Sequence, residues 1–571
     1  MMDIHNQHQG EQEVGYIIGG GLKENLHIRL TRPPQEIMEG SFVVVDSGIW
    51  RFYGIVVDLA LRAVDEHFAR EPESLRLPNR LADLLNESTL YTDVEVLPVL
   101  MQEVGPDPAS AQYSSWVEQG VQKEGPVSIK TIPTHHAVAR LASELDVAEI
   151  FGDAQDKKNF VIGYTREQNH AVCIDLEKLV QRSAGVFGAT GTGKSFLTRM
   201  LLAGLIRYDQ ASVLVFDMHN EYGMDDIASD SHEKVAGLQS RFGKSRVQVV
   251  SVGRESTFRG VTPDFHLELT YADITPEDIA LLAGELNLKE TTATTLAALE
   301  NAFGYAGWFK AFKEMRSGAV VEDEDGKKIP APNSVASWAD QNGVNVMAAE
   351  SLHSKLTRVF SKAYIVDKPA GDPIANILAA LEKGKHVVLS FGKYESDLDY
   401  LLISNLLTRR IRERWEKLTN ESRTQSASHP RPLVLVLEEA HKLLNREMAS
   451  QTIFSTIARE MRKYFVTLLV IDQRPSQIYD EVMSQLGTRI SGWLGDDSDI
   501  QAVLSGLAGR DALRGMLSRL RPKEEVLMLG WGVPMPIPVK SRRYDDAFWE
   551  DMQKGKTNPN QAGLIKNLYG N

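Results

Sequence analysis

Between residues 14 and 60 the apolar positions come in short runs broken by glycine: VGYIIGGG, LHIRL, GSFVVVDSG and WRFYGIVVDLAL. Runs this short, rich in Val, Ile, Tyr and Phe and punctuated at near-regular intervals, predict a small β-barrel or sandwich. A polar, helix-tolerant stretch follows (DEHFAREPESLRLPNRLADLL), and then a further β-like run, TLYTDVEVLPVLMQ. Together these read as an N-terminal β domain over residues 1–145, closed by a linker.

From about residue 160 the pattern changes to strand alternating with helix. FVIGYT and AVCIDLEKLV lead into a helical run, SFLTRMLLAGLIRY, and the strands SVLVFD and VQVVSV follow. Such alternation predicts parallel strands with helices on both faces. It stops near residue 263 and gives way to helical sequence, interrupted by an acidic, mobile-looking stretch, SGAVVEDEDGKKIPAP. Strand runs resume with HVVLSFG, LVLVLEEAH, VTLLVIDQR, RISGWLG and EEVLMLG. The expected organisation is a core split in two (residues 146–262 and 386–545) around a helical insertion (263–385), with a tail over 546–571.

Where the apolar strand AGVF meets the helix, the chain reads GATGTGKS, the spacing G-x-x-x-x-G-K-S. Three glycines let the backbone turn sharply and bring several N–H groups close to one anion. The helix that begins there adds partial positive charge at its N-terminus. Gly188, Ala189, Thr190, Gly191, Thr192, Gly193, Lys194, Ser195 and the following Phe196 are therefore assigned to nucleotide binding. Lys194 reaches the β- and γ-phosphates and the Ser195 hydroxyl ligates Mg²⁺, which makes ATP and Mg²⁺ the expected ligands.

Hydrolysis needs an acid for the metal and a base for water. LVLVL ends in Glu438 and Glu439, and the carboxyl end of a parallel strand is where ligands sit. Glu438 is assigned to Mg²⁺ through its water shell and Glu439 to polarising the attacking water. His441 reads either as a neighbour of that site or as a surface histidine. VTLLVID leads to Gln473, an amide able to sense a γ-phosphate, and SVLVFD leads to Asp217, His219 and Glu221. Between them AREMRKYF carries Arg459, Arg462 and Lys463; such cations serve either as a finger on a neighbour's γ-phosphate or as a charged helix face.

Composition narrows the setting. Among 571 residues 43% are hydrophobic and 25% charged, which fits globular domains, and no apolar run approaches a membrane span. The single cysteine, Cys173, excludes an internal disulfide framework and suits a reducing cytoplasm. The net charge of −14 argues against a basic surface coated with nucleic acid, but leaves room for a narrow basic channel. The helix run TRRIRERWEK offers Arg409, Arg410, Arg412 and Arg414 for such a channel. Its interleaved Glu413 and Glu416 favour a solvated helix face instead.

Taken in order, the IGY and IDLEKL lead-in, GATGTGKS, FDMHNEYG, LVLVLEEAH, AREMRKYF and IDQRPSQI resemble the HerA branch of the HerA–FtsK ATPases, which are hexameric DNA translocases. The resemblance covers most of the chain and implies an α/β P-loop NTPase with a RecA-like parallel sheet, the N-terminal domain being similar to the HAS-barrel. It implies Lys194 and Ser195 for phosphate and Mg²⁺, Glu438 for metal, Glu439 for catalysis, Gln473 for sensing, and Arg459 or Arg462 as a finger acting in trans. The family segment REGRKFG … SQRPS differs here at Met461, Tyr464 and Asp472. It further implies a homo-hexamer on double-stranded DNA. A partner effector, either a NurA-like nuclease or a sirtuin-like or nuclease effector of anti-phage defence, docks on the barrel in such proteins. Two functions follow: a motor encircling duplex DNA, or an ATPase scaffold that controls an effector. A kinase-like transfer is set aside, because the EE pair suits water activation.

Overall fold

The computed structural model describes residues 13–63, 90–106, 125–227, 234–254, 262–322, 327–425, 428–449, 452–507 and 509–554, together with Ser110, Tyr113 and Trp116. The helix-tolerant stretch expected over 65–85, the acidic tip 323–326 and residues 555–571 of the tail lie outside the described residues. The chain forms two compact units: Met1–Leu179 with Val186–Leu197 and Gly487–Asn571, and Val180–Gly185 with Thr198–Leu486.

In the first unit, six antiparallel strands close into a barrel, which decides between barrel and sandwich. Their order is Leu26–Leu30, Glu13–Gly19, Val138–Leu141, Phe42–Ser47, Trp50–Ala63 and Leu90–Glu103, and the last pairs back onto the first. Alternation along these strands sends Val43, Val45, Phe52, Val56, Val94 and Val96 into one shared core. Closure leaves no long unpaired edge, and bulges at Tyr53/Gly54 and Val56/Asp58 bend the two longest strands around it. A capping box at Ser143 then starts the helix Glu144–Phe151, and its Asp146 is held by Arg140 at 2.6 Å.

The same unit carries a correction to the parallel reading. Asn159–Tyr164 and Ala171–Asp175, expected as alternating core strands, form an antiparallel hairpin. That hairpin pairs antiparallel with Ile537–Ser541, which continues to Glu525–Gly530 and Thr488–Ser491. The reason lies in the connections. Six residues between Tyr164 and Ala171 cannot make the dozen-residue crossover that parallel neighbours need. Arg166, in that short loop, donates to Glu525 at 3.0 Å and to the Glu39 carbonyl, fastening the hairpin to the barrel.

The second unit holds the parallel sheet. Its order is Phe265–Leu267, Val247–Val252, His386–Ser390, Ser212–Asp217, Leu433–Leu437 and Val466–Asp472, every pair parallel. Strands Ser212–Asp217, Leu433–Leu437 and Val466–Asp472 are buried throughout, as expected for a sheet covered on both faces. Leu468 N–H donates to Ser183 and the Thr467 hydroxyl to Val180 O, which fixes the chain that enters strand Ala184–Phe187.

The insertion is a helical cluster packed on aromatics: Trp308, Phe309 and Phe312 are fully buried, with Trp338 and Phe360 against Phe312. The acidic stretch within it differs from expectation, because its flanks Val320–Glu322 and Lys328–Pro330 pair as an antiparallel ribbon. No helix among the described residues is long and apolar enough to cross a membrane. Cys173 is buried, which pushes its thiol up to about 12.

Candidate active site

The glycine loop lies between strand Ala184–Phe187 and helix Lys194–Tyr208. Gly188, Gly191 and Gly193 have φ of +148°, +76° and +90°, values that side-chain-bearing residues adopt only under strain. The loop is pinned from outside by Ala189 N–H to Trp493 O (2.9 Å) and Gly492 N–H to Phe187 O (2.9 Å). From inside, the buried Thr192 hydroxyl donates to Ala189 O at 2.7 Å. The Lys194 ammonium folds over the loop and donates to Gly188 O (2.8 Å) and Ala189 O (3.0 Å). Thr190 and Gly191 are exposed at the tip. Phe196 is 37% exposed on the first helical turn, with its ring 6.3 Å from that of Tyr544. A cradle of this geometry, with a lysine across it and a helix N-terminus behind it, fits a phosphate chain.

The carboxylate half is built in the second unit. Glu438 is 5% exposed at the end of strand Leu433–Leu437, and its Oε2 accepts from the backbone N–H of Met218 (3.1 Å) and His219 (3.4 Å). Burial pushes its carboxyl well above the usual range, and the charges of Asp217 and Glu221 push it further. Asp217 is itself buried and raised, although it accepts from Glu221 N–H (2.8 Å) and Tyr222 N–H (3.0 Å). A cation would relieve this crowding. Among the described residues, no three His, Cys, Asp or Glu side chains are placed to hold a metal by themselves. A buried carboxylate completed by water oxygens is a donor set that suits a hard divalent cation.

Glu439 turns away from the strand at φ +45°, a strained backbone for a residue with a side chain. Its Oε2 accepts from Gln473 Nε2 at 3.3 Å, and His441 Nδ1 lies 3.6 Å from the same oxygen. His441 also pairs with Asp472 at 3.0 Å, so of its two readings the structure takes the neighbour of the site. That hydrogen bond raises the imidazole's pKa above 6.5, against its burial.

The structure thus brings Glu438, Glu439 and Gln473 together in one unit, and Gly188 through Phe196 together in the other. Arg459 donates to Glu481 at 3.3 Å, and Arg462 is exposed on the turn Met461–Tyr464. Neither joins the hydrogen bonds described around Glu439. The arginine helix also departs from a uniformly solvated face. Arg409 forms an ion pair at 2.9 Å with Asp278, a side chain 1% exposed, and Arg414 is bidentate to Glu382. Tyr400, whose hydroxyl donates to Glu438 O at 2.8 Å, carried no sequence signal, because it sits mid-pattern on helix Asp397–Gln425. Asp472 did carry one, as the residue that departs from the family segment.

Residues 160–411 match the family model described as the central domain of helicase HerA. A protein of Sulfurisphaera tokodaii named DNA double-strand break repair helicase HerA is 23% identical over 544 residues, covering 93% of each chain. A protein of that name from Sulfolobus acidocaldarius is 26% identical over 424 residues, covering 72% of this chain and 74% of its own. Among solved structures, VirB4 of Thermoanaerobacter pseudethanolicus overlays with a TM-score of 0.41 at 15% identity, covering 68% of this chain and 97% of that one.

Proposed function

We propose that the chain is a HerA-type P-loop ATPase that works as a homo-hexameric ring, hydrolysing ATP to move along double-stranded DNA in the cytoplasm. The observation that carries the reading is the hydrogen bond between Gln473 and Glu439, which puts a candidate γ-phosphate sensor and a candidate base within reach of each other. In this reading Gly188 to Ser195 cradle the phosphates, Lys194 neutralises them, and Phe196 borders the nucleoside. Ser195 and Glu438 would hold Mg²⁺, which when bound supplies charge neutralisation at the phosphates. Glu439 takes a proton from the attacking water, and Gln473 reports the γ-phosphate. Arg459 or Arg462 serves the neighbouring subunit's nucleotide. The DNA substrate is supported by relatives named for double-strand break repair. A partner nuclease or other effector docked on the barrel, in DNA end processing or anti-phage defence, completes the proposal.

Sequence-independent motion can use only backbone phosphates, and with a net charge of −14 those contacts must come from a few loop cations per subunit. Assembled protein should therefore bind duplex DNA with a log–log salt slope equivalent to only several phosphates. Mixing Glu439→Gln subunits with Arg459→Ala or Arg462→Ala subunits should restore part of the ATPase activity if the finger acts in trans. An active monomer in light scattering would rule out the ring. The acidic balance favours a second reading, in which the ATPase assembles and regulates an effector and DNA is secondary. That reading takes over if duplex DNA neither binds the assembled protein at low salt nor stimulates hydrolysis, while a protein partner does.

A further inference from the structure

Asp472 closes strand Val466–Asp472, immediately before Gln473, and its side chain is wholly buried. It accepts three hydrogen bonds: from His441 N–H (2.7 Å), from His441 Nδ1 (3.0 Å) and from Arg474 N–H (2.7 Å). A serine in its place would have neither the charge nor the lone pairs for that set. His441 follows Glu439 by two residues. The left-handed backbone of Glu439 reverses the chain so that Nδ1 of the imidazole faces two carboxylates: it hydrogen-bonds Asp472 at 3.0 Å and lies 3.6 Å from Oε2 of Glu439, within ion-pair reach but beyond a hydrogen bond. Gln473 donates to Oε2 of Glu439 and Nδ1 of His441 lies on the side of that same oxygen, so Oε1 is the oxygen left to accept from a water.

We infer that Asp472 and His441 are a positioning pair for the hydrolytic carboxylate: Asp472 holds His441 by both its backbone N–H and its Nδ1, which fixes the turn that carries Glu439 and sets Nδ1 against Oε2, so that Oε1 faces the attacking water. The hold is independent of Gln473, whose amide is then able to turn to a γ-phosphate without releasing the base. Neither residue touches the reacting atoms; both act through Glu439. The inference rests on Glu439 being the base, as proposed above.

The test is steady-state ATPase of the full chain beside equilibrium binding of a non-hydrolysable ATP analogue. His441→Ala should lower kcat by roughly ten-fold while analogue affinity stays within about two-fold. His441→Asn, whose amide nitrogen can stand where Nδ1 stands, should return to within about three-fold of wild type. Asp472→Ser should lower kcat as His441→Ala does, and the double variant should be no slower than either, since the two residues act as one unit. Unchanged kcat in His441→Ala, failure of His441→Asn to recover, or additive losses in the double variant would each overturn the pair. Glu439→Gln separates the two levels: wild-type turnover in that variant removes the base itself, whereas a slow Glu439→Gln beside a fast His441→Ala removes only the positioning role.

Discussion

Two glycines of the same loop should respond very differently to one added methyl. At Gly188 an alanine must adopt φ +148°, a strain of about 1–3 kcal/mol. Its Cβ would also stand 2.6 Å from Thr192 Oγ1 and 3.4 Å from Gly492 Cα. The threonine cannot simply rotate away, because it is buried and its hydroxyl holds Ala189 O at 2.7 Å; giving up that bond costs about 1 kcal/mol more. The sum, roughly 2–4 kcal/mol, corresponds to a loss of about 30- to 1,000-fold in nucleotide affinity if the native loop is the binding-competent one. At Gly191 the φ is +76°, the residue is exposed, and a Cβ would meet nothing within 4 Å. Only the left-handed backbone cost of about 1 kcal/mol remains, which is about five-fold in affinity. Titrating a fluorescent non-hydrolysable ATP analogue into Gly188→Ala and Gly191→Ala measures both, with thermal melting to confirm that each variant is folded. Equal losses, or wild-type affinity in Gly188→Ala, would refute the argument that loop geometry creates the phosphate site.

Glu439→Gln should keep analogue binding and lose at least ~10²-fold in turnover, as read by single-turnover hydrolysis. His386 is 1% exposed, and burial, with Arg246 and Arg431 nearby, pulls its pKa down to about 3. Because the native imidazole stays neutral while the unfolded chain takes a proton near 6.5, stability is full above that pH and is lost as pH falls toward 3. Urea unfolding at pH 7 and pH 5 should show wild type losing about 2 kcal/mol more than His386→Leu; equal pH slopes would show that this histidine is not the cause. Arg409→Met leaves the buried Asp278 carboxylate with the neutral donors Thr275 and Asn405 but without its counter-charge, and should cost about 3 kcal/mol of stability, with much of it regained when Asp278→Asn is added.

What the amino-acid order determined by itself is whatever contiguous residues decide. The glycines at 188, 191 and 193, followed by Lys194 and Ser195, specify a loop at a strand–helix junction because backbone freedom and the helix N-terminus are local properties. The five apolar residues before Glu438 likewise specify a buried strand with carboxylates at its end, and the alternation over 14–60 specifies half-buried antiparallel strands. The choice of partner for each strand was not local. Asn159–Tyr164 and Ala171–Asp175 have the composition of parallel core strands, yet the six-residue connection and the edge offered by Ile537–Ser541, more than 350 residues later, made them an antiparallel hairpin. The tertiary structure also decided the chemistry around the base. His441 reads either as a neighbour of the site or as a surface residue until strand Val466–Asp472 lies beside Leu433–Leu437 and brings Asp472 against it. Arg409 reads as a solvated cation until the inserted helices bury Asp278 beneath it. In both cases a charge acquires its role only when folding removes water and supplies a counter-charge from far along the chain, and no pattern of neighbouring residues encodes that.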